Sequence, residues 1–258
     1  ITENKSANGG GVLKARSSNL TISNSTISLN SASNLGGGVV NQSAHSPSIL
    51  NSTLSFNSAN QGGGIYNSVG YNMTISSSSI VENRSSFGGG IYNKYSRNLS
   101  ISSSSISRNT GHFGGGIYNK TSHNVMLSNS FILENISSVN GGGIHNANST
   151  NLTISNSSVS GNTSGFGGGI NNTNSNNLII DRSSVSGNVG NNRGGGIFNN
   201  TSSFLIQASS ITNNQSTYLG GGIYNYDNNG GTSLVLQNTT MSANTCSAGA
   251  GGAIYTPP

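Results

Sequence analysis

The chain has 258 residues, of which 31% are hydrophobic and 6% charged, and its formal net charge is +5 at pH 7. So polar a composition would suit a disordered chain, yet the aliphatic residues keep a strict frame that a disordered linker has no reason to keep. The ten Lys and Arg residues are scattered without a five-residue basic run, which argues against a nucleic-acid partner. No run of about 18 apolar residues offers a span for direct membrane insertion.

The frame is set by a phrase of Gly-Gly-Gly or Gly-Gly-Ala followed by an aliphatic. That aliphatic falls at Val12, Val39, Ile65, Ile91, Ile117, Ile144, Ile170, Ile197, Ile223 and Ile254, spaced by 26 or 27 residues and by 31 at the last step. Such a period signals a stacked solenoid in which each repeat buries its apolar face against its neighbours. Within a repeat, an aliphatic pair two apart comes first, as at Met73 and Ile75 or Leu99 and Ile101. A single aliphatic follows five residues later, from Ile27 through Ile80 and Ile106 to Met241, and an Asn three residues beyond it, from Asn4 through Asn109 to Asn244. A second Asn column, Asn41 to Asn225, closes the Gly phrase.

Apolar residues two apart share one face of a strand, so each coil reads as three short strands, for instance 72–76, 78–81 and 89–93. Nothing carries a 3.6-residue helical stripe. The coils should pair in parallel and in register, roughly 4.8 Å apart. The fold class is therefore all-β, a single solenoid over 1–258 with about ten coils of 26–27 residues. Inside it, Asn should stack on its own copies. The column Ser25, Ser52, Ser78, Ser104, Ser130, Ser157, Ser183 and Ser209 should face inward, each hydroxyl bonded to one in the coil above. Glycine lets the wall pass close to the core, but the repeat alone offers no reason for three. On this frame Ile106 is inside and Ser107 outside. The chain opens and closes in mid-repeat, at Ile1 and Pro258, the outline of a fragment of a longer repeat protein. Uncapped strand edges recruit other strands, so the expected partners are further repeats in a longer parent chain or copies stacked end to end.

These columns resemble the chlamydial polymorphic outer membrane proteins, whose two repeated motifs are GGA followed by an aliphatic and FxxN. Here the first is GGGI or GGGV in nine coils and GGAI at 251–254, and the second is IxxN, LxxN, VxxN or MxxN from 27–30 through 241–244. Bacterial and archaeal surface proteins with pectate-lyase-like helices look similar. The resemblance implies a right-handed parallel β-helix at an extracellular cell surface and says little about activity. Two departures matter: an aliphatic replaces Phe, and no membrane barrel follows, so autotransport does not carry over. The alternative fold is a leucine-rich repeat, loosely traced by Ile22, Ser25, Ile27 and Asn30. There Ser would stand in a core Leu column, and the Gly phrase would have no place.

Chemistry is sparse. Glycoside hydrolysis needs two carboxylates at a set distance, and the acids are Glu3, Glu82, Glu134, Asp181 and Asp227. The Glu residues share a column, but Glu82 and Glu134 stand two coils apart, about 10 Å, with Arg108 between them. An exposed turn is the plainer reading, and Asp181 beside Arg182 reads as a surface ion pair of small value. His45, His112, His123 and His145 share no metal-ligand spacing, and Cys246, the single cysteine, has no base beside it. No catalytic, metal or cofactor-binding residue is expected.

Two outward columns and a set of corners remain. Behind each Gly phrase, Tyr66, Tyr92, Tyr118, Phe198, Tyr224 and Tyr255 form a candidate face for surface glycans, host or cell-surface polymers, or else a self-supporting ring ladder. Hydroxyl pairs from Thr26 and Ser28 to Thr240 and Ser242 resemble the lattice of ice-binding solenoids, interrupted at 79–81 and 131–133. Among Asn-x-Ser/Thr sites, the outward corners Asn19, Asn24, Asn72, Asn98, Asn151 and Asn238 are candidates for glycosylation, whereas Asn83 and Asn214 face inward. The reading is a non-enzymatic structural or adhesive module of a cell surface, a filament or sheath subunit. A carbohydrate-binding or polysaccharide-processing β-helix is the alternative, and an ice-binding protein a minor one.

Overall fold

A computed structural model of the chain describes residues 1–16, 19–200, 203–226 and 233–257. Asp227 and the rest of 227–232, which fall within the 31-residue final repeat, lie outside them. Each coil lays down short strands that pair in parallel with the same strands one coil away. The aliphatic columns stand in register, so Leu54, Ile80, Ile106 and Ile132 lie one above another, as do Ile65, Ile91, Ile117 and Ile144. Among the described residues, three walls contain nine, nine and ten strands. The result is a parallel β-helix, wound in the right-handed sense that parallel crossovers take.

The expected three strands per coil become four. Thr74–Ser76, Ser79–Val81 and Ile91–Lys94 answer to the three read from the sequence. A further arm lies between the second and third: Thr110–Phe113 pairs with Ile136–Asn140 in a six-stranded sheet, with a register shift between Gly111 and Phe113. Nearer the N-terminus the same arm is held by single bridges such as Ser58 to Arg84 and Gln61 to Phe87. It escaped the apolar periodicity because its inward column is small rather than aliphatic, with buried Ala32, Gly111, Ser137, Ser164 and Gly190.

One aliphatic core runs the length of the rod, with Ile80, Ile106 and Ile132 fully buried. Each such side chain contributes about 1.5–3 kcal/mol of burial. The polar columns inside it are satisfied by one another and by the backbone, apart from Asn41 Oδ1 at the end of its column. Asn109 donates from Nδ2 to Asn135 Oδ1 (3.0 Å) and to the backbone oxygen of Ile80 (2.9 Å). Its Oδ1 accepts from the backbone N–H and the Nδ2 of Asn83 (2.9 and 3.0 Å). The column from Asn41 to Asn225 makes amide-to-amide steps of 2.6–2.8 Å. The inward Ser column departs from expectation. Ser104 Oγ donates to the carbonyl of Ser102 (2.7 Å) and accepts from the N–H of Ser78 (3.1 Å). Its partners are backbone because the carbonyl two residues back is nearer than any hydroxyl one rung away. A second buried Ser ladder, Ser96, Ser122, Ser149 and Ser175, links N–H to Oγ at 3.0–3.1 Å and was not read from the sequence.

The three glycines have three separate reasons. Gly88 turns the chain at φ +66°, and a Cβ there would strike the Ile91 carbonyl. At Gly89 a Cβ would strike the carbonyls of Gly115 and Thr110. At Gly90 it would lie 2.7 Å from the Gly116 carbonyl and 3.1 Å from Asn109 Nδ2, inside the Asn ladder.

Candidate functional site

The side chains behind the Gly phrase alternate away from the main core, and their rings stack. Tyr92 lies 4.9 Å from Tyr118 at 9°, and Tyr118 lies 4.7 Å from His145 at 2°. After Asn171 the stack resumes as Phe198, Tyr224 and Tyr255, with centroid steps of 5.0 and 5.7 Å. The expected accessible aromatic face is corrected at this point, because Tyr66, Tyr92, Tyr118 and Tyr224 are only 3–6% exposed. Phe198 and Tyr255 are half-buried. The cover comes from the residue before each Gly phrase. Phe87 stacks on Tyr92 and Tyr118 (6.1 and 6.2 Å), and Phe113 on Tyr118 and His145 (6.1 and 5.9 Å). Leu35, Phe87 and Phe113 thus seal a thin second core outside the wall. No alternation rule could show this, since the cover depends on the unforeseen fourth arm and its Gly turn.

Burial sets the chemistry of that core. It raises the Tyr92 phenol, with Tyr118 and Tyr66 adding to the shift, and raises Tyr118 as well. Burial, then the charge of Lys120, pushes the His145 imidazole down to about 3. The ring is therefore neutral, and its Nδ1 has no hydrogen-bond partner.

The sequon residues Asn19, Asn24, Asn72, Asn98, Asn151 and Asn238 are all exposed, at φ of 47–59°. Asn83 and Asn214 are buried. Asn72, Asn98, Asn124, Asn151 and Asn177 join in an exposed amide ladder with steps of 2.8–2.9 Å.

Among the described residues, the acids do not form a pair. Glu3, Glu82 and Glu134 sit at a left-handed turn (φ 54–59°), and Arg108 Nε meets Glu82 Oε1 at 2.9 Å. Asp181 is not the simple surface residue expected. It is 8% exposed, holds Arg182 Nη2 at 2.7 Å and accepts from Gln207 Nε2 at 3.1 Å. His112 and His123 bond to the hydroxyls of Ser138 and Thr150, and Cys246 Sγ donates to the Tyr218 carbonyl. No group of three potential metal ligands gathers among the described residues, and no described helix is long and apolar enough to cross a membrane.

The hydroxyl rows are in register, for example Thr26 with Thr53 and Ser184 with Ser210, and the exposed Phe131 ring stands in their path. Ser107, placed outside by the frame, does face outward. It is nevertheless 7% exposed, in register between Val81 and Leu133. Sequence reasoning missed two surface features. On the first wall, Ile179, Leu205 and Val235 line an apolar groove of about 430 Å³. At the corner before that wall, Lys94 aligns with Lys120 and Arg97 with His123. The 26-residue offset within each pair was the available signal.

The sequence model of the Chlamydia polymorphic membrane protein (Chlamydia_PMP) repeat matches residues 208–226, a segment running from the single-aliphatic wall through one Gly phrase. Among curated proteins the chain has no match. A solved structure similar to it is the A-module of the Azotobacter vinelandii mannuronan C-5 epimerase AlgE4. The two share 12% identity at a TM-score of 0.42, over 100% of this chain and 85% of that one.

Proposed function

We propose that this chain is a non-enzymatic structural or adhesive β-solenoid module of an extracellular cell surface. The observation that carries the reading is the repeat matched at 208–226, whose columns recur in register along a rod made rigid by buried amide and hydroxyl ladders. The engagement of Glu82 by Arg108, and of Asp181 by Arg182 and Gln207, is in keeping with a scaffold. Incubation with pectins, alginates and glycosaminoglycans tests the reading, and sustained turnover that survives repurification would overturn it.

Assembly end to end, into a filament or sheath, is part of the proposal. In each interior ladder the Asn Oδ1 or Ser Oγ of one coil accepts from the coil before it, so like coils are complementary head to tail, a heterologous contact that need not close. Light scattering of the full-length protein over a range of concentrations should show growing particles. A monomer at every concentration would remove the filament.

A further inference from the structure

The chain leaves the ten-stranded wall and enters the next coil through a four-residue corner, 94–97, repeated one rung on at 120–123. Lys94 and Lys120 are register partners, and so are Arg97 and His123. The four side chains therefore start from a grid of one rung, about 4.8 Å, by three residues, at most about 10 Å. Lys94 Nζ lies 4.9 Å from the centroid of the exposed Tyr95 ring. The Arg97 column continues backward through the bridged Tyr71 to His45, whose ring stacks on Tyr71 at 5.1 Å.

Among the described residues neither ion pair involves Lys94, Arg97 or Lys120. The equivalent corners 42–45, 68–71, 94–97, 120–123, 147–150 and 173–176 contain no Asp or Glu. The salt bridges of Arg108 and Arg182 belong to other turns of the coil. Like charges in register repel, and nothing in the repeat requires them here. The equivalent residues in neighbouring coils are Gln42, Ser68 and Ala147, while the inward columns on either side barely change. The cations thus flank the buried Ser96 and Ser122 of the corner's own ladder, at positions that no ladder holds fixed.

We infer that this corner is a binding site for an acidic polysaccharide, with Lys94, Arg97 and Lys120 seating its sulfate or carboxylate groups and Tyr95 and His123 bordering the sugar. The inference deepens the adhesive reading above and rests on it. Three full charges over two rungs suit a short run of an anionic glycan. A nucleic-acid duplex needs a longer track, on the order of six or more phosphate contacts, to bind firmly. Exposed tyrosine offers a sugar both an apolar ring and a hydroxyl.

Titrations of the full chain with heparin, polygalacturonate, neutral dextran and a DNA duplex at two salt concentrations test this. Wild type should bind heparin or polygalacturonate in a salt-sensitive manner and leave dextran alone, the two acidic polymers separating sulfate from carboxylate recognition. Lys94→Gln with Lys120→Gln should weaken binding at least tenfold, and Arg97→Gln alone severalfold. Arg84→Gln with Arg108→Gln, an equal charge loss on other turns, should change it less than twofold, all variants keeping the wild-type circular dichroism spectrum. Equal weakening by the control pair, tighter binding of DNA, or binding of neither acidic polymer would overturn the site. Polymer length measured in the same samples keeps the two readings apart. A shortened polymer overturns the non-enzymatic function, whereas an intact and unbound polymer overturns only this inference.

Discussion

The columns of Asn109 and Asn98 make nearly the same bond, amide to amide one rung away, at 3.0 Å in the first and 2.8–2.9 Å in the second. They differ in everything around it. Asn109 is fully buried and uses both donors and its acceptor on protein partners. Asn98 is exposed and holds one neighbour on each side. Water can replace what the outer ladder provides and cannot reach the inner one. The shorter bonds therefore belong to the ladder that contributes less, and burial rather than distance sets the energetic weight.

That contrast can be broken from its strongest end. Ile106→Asn sets an amide with no partner among stacked aliphatics and should cost about 3–5 kcal/mol in urea unfolding, from lost burial and an unsatisfied group together. Asn109→Ala strips the acceptor from Asn83 and the donor from Ile80, and about 2–4 kcal/mol should follow. If Asn109→Ala proved as mild as a surface change, the inner ladder would not be a stabilising element.

The ring ladder lies between these extremes and responds to acid. His145 has its pKa pushed below the ordinary 6.5 to about 3 in the folded chain. The unfolded chain therefore takes up that proton first as pH falls. Stability due to the neutral ring is complete above pH 6.5 and declines toward pH 3, on the order of a few kcal/mol in all. His145→Asn, copying Asn171 in the next coil, should flatten that part of the profile when midpoints at pH 7 and pH 4 are compared. An unchanged slope would place the acid sensitivity elsewhere. Smallest of all, Asn124→Ala in the outer ladder should shift the midpoint by about 0.5 kcal/mol or less. A shift of the size found for Asn109 would remove the distinction between the two ladders.

Much of this architecture was legible because strand alternation has a period of two and the coil a period near 26. Ile80, Ile106 and Asn109 announce their side of the wall wherever they recur. The fourth arm was not legible, since small residues such as Gly111 and Ser137 carry no apolar signal and its pairing is interrupted by a register shift. With it went the cover over Tyr92 and Tyr118, which buries the column as a ring ladder and removes the other reading, a sugar-facing stripe. The partner of Ser104 was missed for a different reason: one hydroxyl hydrogen goes to the nearest acceptor, a local choice that stacking arguments overlook. Lys94 and Lys120 read as scattered along the chain and become neighbours only once the rungs are laid on each other.

The bond of each inner Asn to the coils on both sides also bears on how such a chain can change over generations. A whole coil copied or deleted leaves each inner Asn donor facing an Asn acceptor, because that bond recurs at every described junction. Loss of a single residue within a coil would pull several columns out of step together. Slack exists only between the columns. Asn214 and Asn244 are 30 residues apart, against 26 or 27 elsewhere, and still bond at 2.9 Å. Rod length and the residues between the columns are therefore the two quantities that mutation can alter independently, one in steps of a full coil and the other residue by residue.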